Sequence, residues 1–400
     1  MSSVDGSAAE LEKGNVAAVI YGWSAIFIGV GLGRFAFTPL IPVLIEAGWY
    51  DPAQAKMLGA YGLVGYLCGG VVTPFLARQI PVRSLGIASA LIVLASFIFC
   101  IFPIAYPWAA LWRFLAGAAG AILMIACTSA ANARLVRGGR AIWSGLPFVG
   151  VGSGAVIAAI LMPLFADTPV EWQGLAITVF CVLAVAIHLW TAARLGTMET
   201  RSRKQRVPRA APGRHRALLW ALLAYGCDGF GMTPHSVYLV DYATREVGLS
   251  NASGALIWAG FGVGALLGPF LAIRIGSQRI GWAFAFKALA IALVVTIHDP
   301  WLFTLSSFCV GLATPGIAVM LSGFIQAAGG AERHIRYWAN ATTTFAFAQA
   351  IGGLAVSRVS QFADSYQPAF ALGAAIMAFG FVAILYAGRI LRDSTSQGSA

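Results

Sequence analysis

Charge is scarce in this sequence. Of its 400 residues only 10% are Asp, Glu, Lys or Arg, against roughly 25% in an ordinary soluble domain. With a mean hydropathy of +0.80, that excludes a water-soluble globule. Cys-x-x-Cys spacing is absent. The six cysteines (Cys68, Cys100, Cys127, Cys181, Cys227 and Cys309) all lie inside apolar runs, so they read as core packing and imply no disulfide framework. The Gly-x-x-x-x-Gly-Lys loop of a nucleotide domain is missing, which removes the basis for ATP-driven work. No His, Cys and carboxylate set has metal-ligand spacing, and no Ser, His and Asp set shares one depth. No cofactor, metal or enzymatic chemistry is expected. The leader Met1 to Asn15 carries Asp5, Glu10 and Glu12 against one Lys13. It lacks the basic start of a signal peptide and reads as a short tail.

Long apolar runs are what the chain has in abundance. A bilayer core of about 30 Å takes about 20 apolar residues per helical crossing, and between residues 17 and 390 the sequence divides into twelve such segments. The short alternating segments of a membrane barrel are not seen. The expected fold is an all-α membrane protein with twelve transmembrane helices in two pseudo-symmetric six-helix bundles. Residues 1–15 would form a tail, 16–195 the N-terminal bundle, 196–216 a basic linker, 217–391 the C-terminal bundle and 392–400 a second tail.

The formal charge of +11 invites a nucleic-acid reading, but its distribution argues for topology. Arg78, Arg83, Arg134, Arg137, Arg140, Arg274, Arg279, Arg333 and Arg336 fall in alternate loops. The intervening loops carry Glu46, Asp51, Asp167, Glu171, Asp241, Glu246, Asp299 and Asp364. This is the positive-inside pattern. It places both termini in the cytoplasm and the chain in the cytoplasmic (inner) membrane as a multi-pass protein, with lipid and not nucleic acid as its surroundings. The linker's Arg201, Arg203, Lys204, Arg206 and Arg209 suit a solvated, topology-fixing loop or an anionic lipid surface.

The chain also repeats itself. At an offset of 195 residues, Phe35, Thr38 and Pro39 recur as Phe230, Thr233 and Pro234, Gly65-x-x-x-Gly69 recurs as Gly260-x-x-x-Gly264, and Pro74-Phe-Leu-Ala77 recurs as Pro269-Phe-Leu-Ala272. Span 4 follows one residue out of step, with Phe114 and Gly117 answered by Phe308 and Gly311. The glycine spacing lets helix backbones approach closely.

Four charged residues fall inside spans: Arg34, Arg113, Asp228 and Lys287. Each costs roughly 2.5 to 3.5 kcal/mol at a helix centre, which makes each a functional candidate. Asp228 stands as either a proton-coupling group or one member of a structural ion pair with Arg34 or Arg113. Tyr225, Met232 and His235 share its helical face. His235 is a proton relay or a buried hydrogen-bonded histidine. Lys287 reads as snorkelling toward an interface, and Gln349 as a substrate contact or an interhelical hydrogen bond.

Two six-helix units joined by a basic loop resemble the major facilitator superfamily of secondary transporters. Gly31-Leu-Gly33-Arg34-Phe35-Ala-Phe37-Thr38-Pro39-Leu40 and Gln349-Ala-Ile-Gly352 resemble its YbfB/YjiJ-type group, and Arg113-x-x-x-Gly117 its span-4 motif. The acid of the superfamily's Gly-x-x-x-Asp-Arg loop is missing between Gly69 and Ser84, so the usual charge-relay gate lacks its carboxylate. The resemblance implies that spans 1, 4, 7 and 10 line a central cavity. Arg34, Arg113, Thr38, Tyr225 and Gln349 are then expected to contact substrate, and Asp228 and His235 to carry protons. The function expected is alternating-access transport of a small organic solute by a monomer, with protons as coupling ion and an anion favoured over a cation by the two arginines. An uncoupled facilitator, a membrane-embedded enzyme and a polytopic sensor are the alternatives.

Overall fold

The computed structural model describes residues 2–165, 168–195, 211–296, 299–363 and 365–396. The first half of the chain runs through α1 (Ser2–Ile26), a π-helical stretch Phe27–Phe35, α2 (Leu40–Glu46), α3 (Pro52–Gln79), α4 (Val82–Phe99) and α5 (Tyr106–Ile122). A second π turn, Leu123–Cys127, joins α5 to α6 (Thr128–Arg137), followed by α7 (Val149–Leu164) and α8 (Val170–Leu195). The second half opens with α9 (Pro212–Gly231), then a π turn Pro234–Tyr238, α10 (Leu239–Asp241) and a π turn Tyr242–Glu246. It continues through α11 (Asn251–Ile275), α12 (Ile280–Thr296), α13 (Pro300–Gly329), α14 (Ala331–Ala363) and α15 (Gln367–Ser396).

Among the described residues, 10 helical segments are long and apolar enough to cross a membrane. The long helices α9 and α14 are not among them. The first carries Arg214, Arg216 and Asp228, the second Arg333, Arg336 and Arg358. Local chemistry sets the helix starts. Asp51 and Gln54 form a capping box ahead of Pro52, Ser250 accepts from the Ser253 amide, and Asp299 accepts from the amides of Trp301 and Leu302. Each cap is worth about 1 kcal/mol.

The expected boundaries shift at three places. Residues 2–15 are helical and continuous with the first span, and α15 runs on to Ser396. The linker's last residues belong to α9 because Pro212, pre-set for a first helical turn, starts the helix there. Arg201, Arg203, Lys204, Arg206, Arg209, Asp167, Asp364 and the end of the second tail lie outside the described residues.

The repeat reappears in the packing. A Cβ on Gly65 or Gly69 would collide with the carbonyls of Phe114 and Ala118, seating α3 on α5. Likewise Gly264 and Gly268 meet the carbonyls of Phe308 and Leu312, seating α11 on α13. Phe308 therefore pairs with Gly264, not with Gly260, the sequence equivalent of Gly65; the second pair is shifted by about one turn. The two halves meet where Gly152 abuts Leu266, Gly262 abuts Val156 and Gly70 abuts Thr343. The largest buried cluster spans that seam, joining Phe35, Tyr66 and Phe148 to Tyr225, Trp258 and Trp338. On the outside, Trp282, Leu289, Trp301 and Phe362 are 73–96% exposed. Side chains of that size belong against lipid, with tryptophans at the interfacial level.

Candidate functional site

Arg34 sits at the end of the π-helical stretch, where glycines let three helices close around one backbone. A Cβ on Gly29 would lie 2.8 Å from Gly120 Cα, and one on Gly31 would strike the Gly150 carbonyl. The half-buried Arg34 reaches across the seam. Its Nη1 donates to Gln349 Oε1 at 2.7 Å and its Nη2 to Ser236 Oγ at 3.4 Å. Both partners are neutral, and among the described residues the guanidinium has no acidic partner. Thr38 Oγ1 donates to the Ser236 carbonyl at 3.0 Å, a second tie between the halves. Tyr66 and Tyr225 lie within electrostatic reach of the guanidinium.

Lys287 overturns the snorkelling expectation. Its Nζ donates to Asp228 Oδ1 at 2.6 Å, with both side chains 0% exposed, and its other polar contact is Met232 Sδ at 3.8 Å. α12 packs against α13 and α15, and the lysine points inward because a buried carboxylate awaits it. Asp228 is thus paired, but with Lys287 instead of either arginine. Its Oδ2 is buried and has no hydrogen-bond partner.

His235 Nε2 lies 2.8 Å from Ser306 Oγ, and Ser306 Oγ donates its single proton to the Ala290 carbonyl at 2.6 Å. The histidine must therefore donate from Nε2. Its Nδ1 is left a bare acceptor, buried and unpartnered, and Lys287 lies within electrostatic reach. Tyr225, one turn before Asp228 on α9, lies within electrostatic reach of both Asp228 and Arg34. One centre therefore holds Arg34, Gln349, Tyr225, Asp228, Lys287 and His235.

Arg113 stands apart from it. The side chain is 6% exposed, donates to the Gly33 carbonyl at 3.1 Å and places its guanidinium 3.7 Å from the Phe37 ring centroid. It lines a separate small cavity with Phe37, Tyr50, Ser96, Cys100 and Ile177. Cation–π contact and a carbonyl stabilise it there, and the two arginines share none of these hydrogen-bond partners.

Sequence reasoning singled out Lys287 but gave it no partner, and it missed Ser236 and Ser306. For Lys287 the signal was present, since a lysine two turns inside a span requires a counter-charge and Asp228 was the one acid at comparable depth. Asp241 was also misplaced. Read as a loop acid, it is 5% exposed, accepting from Tyr366 Oη at 2.7 Å and pairing with Arg245 at 3.2 Å.

No curated protein matches the chain. A family model described as "Uncharacterised MFS-type transporter YbfB" matches residues 26–385, taking in both the glycine-rich Arg34 stretch and the Asp228–Lys287 pair. With nearly the whole chain covered, this multi-pass membrane protein belongs to that family of major facilitator transporters.

Proposed function

We propose that the protein is a proton-coupled secondary transporter of a small organic anion. It works by alternating access between two six-helix halves, in the cytoplasmic membrane with both termini inside. The observation that carries this reading is the Asp228–Lys287 pair, fully buried, with one carboxylate oxygen unpartnered. A buried ion pair is weak evidence for stability, because desolvation offsets most of its attraction, whereas an unpartnered carboxylate oxygen inside a transporter offers a place for a proton.

Charge balance gives the direction of coupling. The membrane interior holds Arg34, Arg113 and Lys287 against Asp228, a net excess of positive charge. A proton on Asp228 cancels its one negative member and raises the positive potential further. Anion and proton then favour each other's binding, and linkage makes that preference reciprocal. Co-transport of the two follows. Arg34 is the anion's first contact, with Gln349, Thr38 and Tyr225 around it; Arg113 shapes the field from its own cavity. His235 is the second proton acceptor. The alternation of basic and acidic helix ends supports twelve crossings with inward termini, α9 and α14 making up the number.

Asp228→Asn mimics the protonated acid while keeping an oxygen for Lys287. In proteoliposomes it is expected to retain solute binding and solute-for-solute exchange but to lose accumulation driven by a pH gradient. Gradient-driven uptake at the parent rate would leave Asp228 a static structural partner. Equal loss of exchange and uptake would point to the solute site instead.

A further inference from the structure

We infer that the N-terminal half holds a small monovalent anion of the halide class beside Arg113, as the counter-ion of that buried guanidinium. The site does not depend on the transport reading, because every residue lining it belongs to the first half of the chain. Arg113 is 6% exposed and carries its charge in the apolar interior, where an ion without a counter-charge is strongly unfavourable. Among the described residues it makes no ion pair. Nη1 donates to the neutral Gly33 carbonyl at 3.1 Å, and the Phe37 ring covers one face of the guanidinium plane. The side-on edge, formed by Nε–H and one Nη2–H, is the fork that grips an anion. Nε is buried and unpartnered, and among the described residues Nη2 has no hydrogen bond either. Gly62 leaves room there, since a Cβ at that position would stand 3.2 Å from Nη2.

The side chain lines a cavity of about 50 Å³ enclosed by α2, α3, α4, α5 and α8. One water needs roughly 10–15 Å³ and benzene about 150 Å³, so the space takes a compact ion and excludes a larger organic solute. No carboxylate lines it, and Cys100 is the titratable group within electrostatic reach of Arg113. Two lining hydroxyls have given their protons away, Tyr50 Oη to the Ile104 carbonyl at 2.9 Å and Ser96 Oγ to the Trp112 carbonyl at 3.1 Å. The side-chain protons left for an occupant are those of Arg113, the Cys100 thiol and the Trp49 indole, all of which suit an anion. Two unpartnered buried atoms close in sequence, Trp112 Nε1 and Gln173 Oε1, belong to residues that do not line the cavity. The other walls, among them Phe37, Leu40, Leu44, Phe97 and Ile177, cannot replace a hydration shell. A weakly hydrated ion such as bromide is therefore favoured over fluoride, and sulfate is disfavoured by its second charge. An anion here neutralises Arg113 and leaves Arg34 as the cation without an acidic partner, so the positive excess is kept at the seam.

The test follows thermal unfolding of the purified full-length protein in sodium gluconate as sodium bromide, chloride or fluoride replaces it at constant ionic strength. A ligand that binds the folded state raises the midpoint as its concentration rises. We expect a saturable rise of several degrees with bromide and chloride and a smaller one with fluoride. Arg113→Met should abolish the halide response, whereas Arg34→Lys should keep it. Gly62→Ala retains the guanidinium but fills the space beside Nη2, and should shift the response to several-fold higher bromide; it serves as the second variant should Arg113→Met fail to fold. Crystals soaked in bromide should show an anomalous peak between Arg113 and Ser96. No halide response in the parent protein overturns the inference, as does a response that survives Arg113→Met or is lost in Arg34→Lys. A response appearing only in Cys100→Ser also overturns it, by showing that the Cys100 thiolate is the counter-charge. None of these outcomes bears on gradient-driven uptake, which stands or falls with Asp228→Asn.

Discussion

A buried carboxylate and a buried ammonium can be removed together far more cheaply than one at a time. Asp228→Leu or Lys287→Met leaves the other charge 0% exposed and alone, and each single change is expected to cost about 3 kcal/mol or more. The double variant should recover most of that loss in thermal unfolding, because apolar side chains of similar volume tolerate the site. Losses that simply add would show that the two residues do not depend on each other. Recovered stability with abolished gradient-driven uptake would separate the pair's use from its contribution to folding. All four membrane charges were legible in the sequence, since each interrupts an apolar run. Their pairing was not. Asp228 and Lys287 are 59 positions apart, and helical periodicity gives the face a residue occupies on its own helix but not the neighbour opposite. Gln349 offered both readings, substrate contact and interhelical bond; the structure supplies the second through Oε1 and leaves Nε2 for the first.

Helices in this protein approach one another through glycine, and substitution there has an opposite sign to substitution on a free face. Gly154→Ala would drive a methyl group into the Gly31 backbone, and Gly152→Ala would meet Leu266 across the seam. Overpacking of this kind costs about 1–3 kcal/mol. Gly388, inside α15, has open space for 4 Å around the point where a Cβ would stand, so Gly388→Ala should stabilise the helix by about 0.5–1 kcal/mol. Thermal unfolding of the three variants should show two lowered midpoints and one raised; a uniform response would undo the packing argument. The helices themselves were legible from hydropathy, and the glycine seams from the 195-residue repeat. The one-turn shift between the α3–α5 and α11–α13 pairs was hidden, because sequence equivalence fixes which helices meet and leaves sliding along their axes to side-chain fit.

The two halves of the molecule touch at both ends of their seam. Toward one end Gly59 faces Val237 and Thr38 bonds to the Ser236 carbonyl; toward the other Gly145 packs against Ile273, and Phe148 against Trp338. Rocking of one half against the other must part each contact in turn. Cysteine pairs at 59 with 237 and at 145 with 273, in a protein stripped of its six native cysteines, should therefore halt uptake when either pair is oxidised and restore it on reduction. Undiminished uptake with either bridge closed would exclude rocking as the transport motion. The π-helical stretches would give such a motion an internal source. They occur in the spans that carry Arg34, Arg113 and Asp228, at Phe27–Phe35, Leu123–Cys127, Pro234–Tyr238 and Tyr242–Glu246. A wide turn holds one residue more than an α turn. If it tightened, everything beyond it would rotate by about 100° and advance by about 1.5 Å. For the first span that is a screw step with Arg34 on its thread: the guanidinium would swing off Gln349 and Ser236 while the lipid-facing frame stood still.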